Sequence, residues 1–325
     1  NPAYENPMPE VKKRFQMNIK CGVRKKMSSL TKFIVCFLFT GILAACGQGD
    51  DHDRALKKVA ADERDHESSP LALNEPILDS LRAMKERFNV TREEYWDNRG
   101  GVLANDFFEL WYPPGKMTVT HGMFAFGQLV DAQKKFRRIF GGDPGDHLVV
   151  ICSATMEGYT EQTGLEWFVY AKVDGDEVHY QPVGVLVQRQ LADCAVPRGY
   201  FEWGILRLSK HRSPQWLTQG FSSQLSYEEK ILEDQQSEFP DDDKMTLEDI
   251  NLALEEKNDR KAYRVALYNA YRMVRRLTAH YDRDKIADVI RLMGNGDSVA
   301  VAFEKTFDRS YEEVISDAMD FKVNQ

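Results

Sequence analysis

Apolar positions fall into short alternating or continuous runs over the first half of the folded part of the chain and recur every three to four residues over the second half. Ile77, Leu81, Met84 and Phe88 keep helical spacing and predict an amphipathic helix. The run FFELWY, residues 107–112, is halted by Pro113-Pro114-Gly115 and predicts a strand. A second helix is expected from about Gly122 to Phe140, ended by Gly141-Gly142, and a second strand over His147 to Cys152. The segments EWFVYAKV and EVHYQP flank Asp174-Gly175-Asp176, a hairpin signal. Beyond about Val183 only helical periodicity remains. Its longest stretch, Ala266 to Tyr281, should be followed by two shorter helices around Asn295-Gly296 and Asp308, and polar Asp234 to Lys244 should form an exposed loop. The fold class expected is α+β: an N-terminal mixed α/β sheet subdomain, residues 71–182, followed by an all-helical part, residues 183–325.

The residues before that domain carry a different pattern. Arg24, Lys25, Lys26 and Lys32 precede an apolar run from Phe33 to Leu43, then small residues and Cys46, the anatomy of a secretory signal too short for a comfortable membrane span. The ending Leu43-Ala44-Ala45-Cys46 resembles a bacterial lipobox, which implies a lipid-modified Cys46 at the mature N-terminus. Residues 1–45 then form a signal peptide with an upstream extension ahead of Met17 or Met27. Polar, charged residues 46–70 form a flexible tether, and His52 and His66 are solvated within it.

Charge narrows the partners. The chain holds 43 Lys/Arg against 51 Asp/Glu. Without its first 45 residues, which hold eight basic and two acidic ones, 35 basic and 49 acidic residues remain, a net charge of −14. Nucleic acid is excluded as a partner, and the expected membrane link is the N-terminal lipid rather than attraction to anionic headgroups. The location implied is the bacterial cell envelope, and the outer membrane if the host has one, because Gly47 is not the Asp of an inner-membrane retention signal. In that oxidising compartment Cys152 and Cys194 are either a disulfide or two separate buried thiols.

The candidate chemistry lies in PQWLTQGFSSQL, residues 214–225, where Ser213 suits an N-cap and Pro214 the first helical position. The order Pro-x-Trp-Leu-x-Gln-Gly-Phe resembles the third-ligand helix of the peptidase MA family, the gluzincin-type zinc metallopeptidases, with Gln219 where the family has a zinc-binding Glu. The segment from Leu267 to Met319 and the runs FFELWYPPG and HLVVIC are similar to further parts of that family. The resemblance covers roughly residues 105–320 and implies a zincin-like architecture.

Such a site needs His-Glu-x-x-His, which puts two imidazoles on one helix face and a general base between them. The chain has no such motif, and His121, His147, His179, His211 and His280 include no pair at i, i+4 spacing. Aligned to the family, Phe201, Glu202 and Ile205 take the motif positions, so both histidines are replaced by apolar residues and the third ligand by Gln219. The resemblance therefore implies a lost zinc site, no cofactor and an inactive homologue: a lipid-anchored pseudopeptidase that binds or scaffolds an envelope protein or peptide in the former active-site cleft. The competing expectation is an active zinc peptidase with unconventional ligands. Neither a Gly-x-Ser-x-Gly elbow nor a phosphate-cradling loop is present, and Gly141 to Asp146 reads as a turn.

Overall fold

The computed structural model describes residues 86–96, 100–114, 116–145, 147–228, 231–232 and 245–320. The chain divides into two units after Leu71, and every described residue belongs to the second. The signal segment, Cys46, the tether, the stretch from Ile77 to Met84 and the acidic run from Asp234 to Lys244 lie outside the described residues.

A six-stranded mixed sheet comes first in sequence. Its strands are β1 (Arg92–Trp96), β2 (Gly100–Ala104), β3 (Phe108–Tyr112), β4 (Leu148–Cys152), β5 (Ala171–Asp174) and β6 (Glu177–Tyr180), in the order β1-β2-β3-β4-β6-β5. β2 pairs antiparallel with both β1 and β3, while β3, β4 and β6 run parallel, with Phe108 opposite Leu148 and Val150 opposite Val178. β5 closes the other edge antiparallel to β6, through the predicted Gly175-Asp176 turn. The parallel step from β3 to β4 needs a crossover, supplied by the 25-residue helix α1 (Lys116–Phe140). α1 begins six residues before the expected Gly122, directly after the Pro113-Pro114 bend.

The β1–β2 hairpin has no counterpart in the sequence reading. REEYW is dominated by charge, and β2 opens with two glycines that carry no apolar signal. Gly100 is required there: its φ is +91°, and a Cβ would stand 1.9 Å from the Tyr112 carbonyl oxygen. α1 lays Phe126, Leu129 and Phe136 over Phe108 and Leu110 of β3, with the Phe108 and Phe126 rings 4.9 Å apart.

Two short helices, α2 (Met156–Thr163) and α3 (Val183–Gln188), lead to α4 (Ala192–Leu208), and no strand occurs after Tyr180 among the described residues. α4 is buried on nearly all sides from Ala192 to Ile205, so it runs through the middle of the unit and shows no amphipathic face. α5 (Gln215–Leu225), α6 (Leu247–Glu256), α7 (Arg260–Tyr281), α8 (Arg283–Gly294), α9 (Val299–Phe307) and α10 (Tyr311–Met319) complete the helical part. Among the described residues three helices, not two, therefore follow α7. The breaks fall at the expected places, with Asp308 in the left-handed region at φ 55° and a Ser310–Glu313 capping box opening α10.

α5 is capped differently from the expectation. Ser213 makes no capping bond; its hydroxyl accepts from Thr218 Oγ1 at 2.9 Å. Instead Asn251 Oδ1, from α6, accepts from the Trp216 amide at 3.0 Å, so the start of α5 depends on a neighbouring helix. Cys152 and Cys194 are both free and buried, the first in the main core and the second in a satellite cluster with Leu186 and Leu191. Among the described residues, no helix is long and apolar enough to cross a membrane.

Candidate functional site

Gln219 of α5 faces α4, and what it meets there is a charged network. Its Nε2 donates to Glu202 Oε1 at 2.6 Å, while its Oε1 accepts from Arg198 Nη2, also at 2.6 Å. Arg198 and Glu202 stand one turn apart on α4, so a single amide spans both. Arg198 Nη1 donates to Glu228 Oε1 at 3.2 Å, and Nη2 also donates to the Tyr263 hydroxyl of α7 at 3.0 Å. Ser223 Oγ donates to the second oxygen of Glu228 at 2.7 Å. Lys257, held in the left-handed region at the end of α6, places Nζ 3.6 Å from Glu202 Oε1.

Two cations and two carboxylates thus neutralise one another around a neutral amide, and all but Lys257 are buried. Gln219 is the residue type that this geometry needs, because it must donate to one carboxylate and accept from a guanidinium. A carboxylate at position 219 could not donate to Glu202 and would bring two negative charges together. Burial opposes the charge on Arg198, but the carboxylate of Glu228, with Tyr263 and Glu202, outweighs it and holds the guanidinium pKa above its ordinary value.

Of the residues singled out in the sequence, Glu202 and Gln219 meet directly. Phe201 does not join them. It lines a groove of about 300 Å³ between α1 and the end of α5, where Lys135 Nζ lies 5.8 Å from its ring and Leu225 and Tyr227 form the far wall. Ile205 is fully buried in the apolar core and brings no polar atom. The helix positions that present side chains to Gln219 are therefore Arg198 and Glu202, three residues earlier than the register Phe201/Ile205. In that corrected register the residue after the first position is Gly199. A Cβ there would lie 2.3 Å from the Tyr180 hydroxyl, which donates to Val196 O across the helix surface. The space beside Gln219 is filled by a guanidinium, not by two apolar side chains.

Arg198, Glu228, Lys257 and Tyr263 were missed from the sequence. One signal was legible: in ADCAVPRGYFEWGILRL, Arg198 and Glu202 are the only charges between Asp193 and Arg207, and they sit at i, i+4. The long-range partners had no such mark.

These residues do not fit a zinc ion. Arg198 offers no lone pair and adds a positive charge, the Gln219 carbonyl oxygen is committed to it, and Glu202 is committed to an amide and an ammonium. Among the described residues, no group of His, Cys, Asp and Glu is placed to hold a metal. The thiols are no better placed as nucleophiles: burial pushes Cys152 up to about 12 and raises Cys194 as well, so each stays protonated. The chain matches no protein-family model and no curated protein.

Proposed function

We propose that the chain is a lipid-anchored envelope protein that keeps a metallopeptidase-like, zincin-like frame and uses it for binding or scaffolding rather than catalysis. The observation that carries this reading is the Arg198 guanidinium, held by Gln219, Glu228 and Tyr263, so that the residue aligned with the third zinc ligand is engaged by a fixed cation. In the register that faces Gln219 the general-base position falls on Gly199, which has no side chain, and Glu202 is itself tied to Lys257 and Gln219. Supporting the frame are the mixed sheet, the buried helix α4 behind it and the third-position residue Gln219 arriving on the next helix. The lipid anchor rests on Leu43-Ala44-Ala45-Cys46.

Binding has a geometric opening at β5. Among the described residues this strand is a sheet edge, paired only with β6, so its outer backbone groups face away from the sheet and can add a further strand. A peptidase assay with and without chelator tests the reading. The pure protein is expected to cleave no unfolded substrate in either condition, and Glu202→Gln is expected to change nothing. Chelator-sensitive cleavage abolished by Glu202→Gln would establish the competing reading, an active zinc enzyme with unconventional ligands.

A further inference from the structure

The groove that Phe201 lines has a charge pattern that the buried network does not use. α1 and α4 border it side by side and run the same way. Gln128 of α1 donates to Asp193 Oδ1 of α4 at 3.2 Å near one end, and the Phe136 and Tyr200 rings meet edge-on at 6.2 Å towards the other. The floor is apolar and buried, built from Ala132 of α1, Pro197 and Phe201 of α4 and Leu225 at the end of α5. Tyr227, 63% exposed, stands as the outer wall. Lys135 fixes that wall, because its Nζ donates to the Leu225 carbonyl oxygen and lies 3.6 Å from the Tyr227 ring centroid.

The polar groups along the rim differ in charge from one end to the other. Asp131, one turn after Gln128, and Asp193 are carboxylates at the first end, and Arg138 brings a guanidinium to the second. Asp131 and Arg138 share one face of α1, and seven residues at about 1.5 Å each set them about 10 Å apart along the helix. Lys134, between them, leans towards Asp131 at 3.8 Å, whereas Arg138 makes no ion pair among the described residues and is the basic pole. The acidic pole has a further acceptor. Pro197 has no N–H to give the Asp193 carbonyl four residues earlier, so that oxygen lacks its usual helical donor.

We propose that this groove binds a short peptide with two free ends, its ammonium at Asp131 and Asp193, its carboxylate at Arg138 and its apolar side chains on the floor. Three residues of extended chain span about 10 Å, the separation of the two poles. A free amino acid carries both charges on one carbon and cannot reach both poles, and a polyanion would meet Asp131 and Asp193. The volume of about 300 Å³ lies at the small end for small-ligand sites, which favours a short peptide over the surface of a folded partner. None of Arg198, Glu202, Gln219 and Glu228 lines the groove. Zinc content and peptidase activity therefore test the reading above without touching this one, and the two fail separately.

The experiment is isothermal titration calorimetry of the full chain with trileucine, N-acetyl-trileucine and trileucine amide. The proteins are the wild type, Arg138→Gln and the double variant Asp131→Asn/Asp193→Asn, all at exposed positions, with circular dichroism to confirm folding. Trileucine is expected to bind the wild type saturably, one per chain, and blocking either end to weaken it about three- to tenfold, the size expected of an ion pair at a rim. Arg138→Gln should weaken trileucine but leave the amide unchanged, and the double variant should weaken trileucine but leave the acetylated peptide unchanged, because each pair has then lost the same contact. Absence of saturable trileucine binding below about 10 mM overturns the proposal. So does equal binding of the blocked peptides to the wild type, which decides the matter even if a variant fails to fold. Trileucine binding that neither variant alters also overturns it, by placing the peptide elsewhere on the chain.

Discussion

At the scale of single residues, the buried network is a set of mutual dependencies. Arg198 serves three partners at once, and a guanidinium so placed cannot leave without stranding Glu228, whose other oxygen is held by Ser223. Arg198→Met is expected to cost about 3–5 kcal/mol, because it leaves a carboxylate buried and unpaired. Adding Glu228→Gln to that variant should recover more than half of the loss, since the neutral amide still accepts from Ser223 and no charge is stranded. Urea unfolding of the two single variants and the double variant measures this. If the losses simply add, the two residues are not coupled and the description of the network is wrong.

At the scale of elements, the account depends on how closely α5 meets its neighbours. Gly220, one residue after Gln219, lets α5 lie against α7: a Cβ there would stand 2.4 Å from the Ala270 carbonyl oxygen, a backbone atom that cannot swing aside. Gly220→Ala should therefore destabilise by about 1–3 kcal/mol. At about 2–4 °C per kcal/mol for a unit of this size, the melting temperature should fall by several degrees, while Gly142→Ala, where nothing lies within 4 Å, should leave it unchanged. An unaltered melting temperature for Gly220→Ala would mean that the helices do not approach so closely. Elements with strong local patterns were legible in the sequence, including β3 between its aromatic run and the double proline, the β5–β6 hairpin at Asp174-Gly175, and the long helix α7. β1 and β2 were not, because charge and glycine mask their alternation and they exist by pairing, β1 with β2 and β2 with β3. The site was half legible. Gln219 and Glu202 were found from their sequence context, but the register assigned to α4 put Phe201 and Ile205 beside them. An all-round buried helix gives periodicity nothing to lock onto, and the contacts that fix its rotation come from Glu228, Lys257 and Tyr263, 30 to 65 residues further along the chain.

For the whole molecule, two proposals meet: a tethered domain and a site closed by its own charges. If Cys46 carries the lipid, Cys46→Ala should release the protein from the membrane fraction or leave it unprocessed, as read by fractionation and immunoblotting, and unchanged membrane retention would refute lipidation. The closed site makes the sharper claim, because the Gln219 oxygen is held by the Arg198 guanidinium and Glu202 Oε1 by the Gln219 amide and the Lys257 ammonium, which a divalent cation would have to displace. The most direct test is zinc content by elemental mass spectrometry on the chain purified without chelator, before and after exposure to excess zinc and desalting. Zinc at background in both samples is the predicted result, whereas one zinc retained per chain and lost on Glu202→Gln would contradict the account, because the Arg198 network would then have to open to admit the metal.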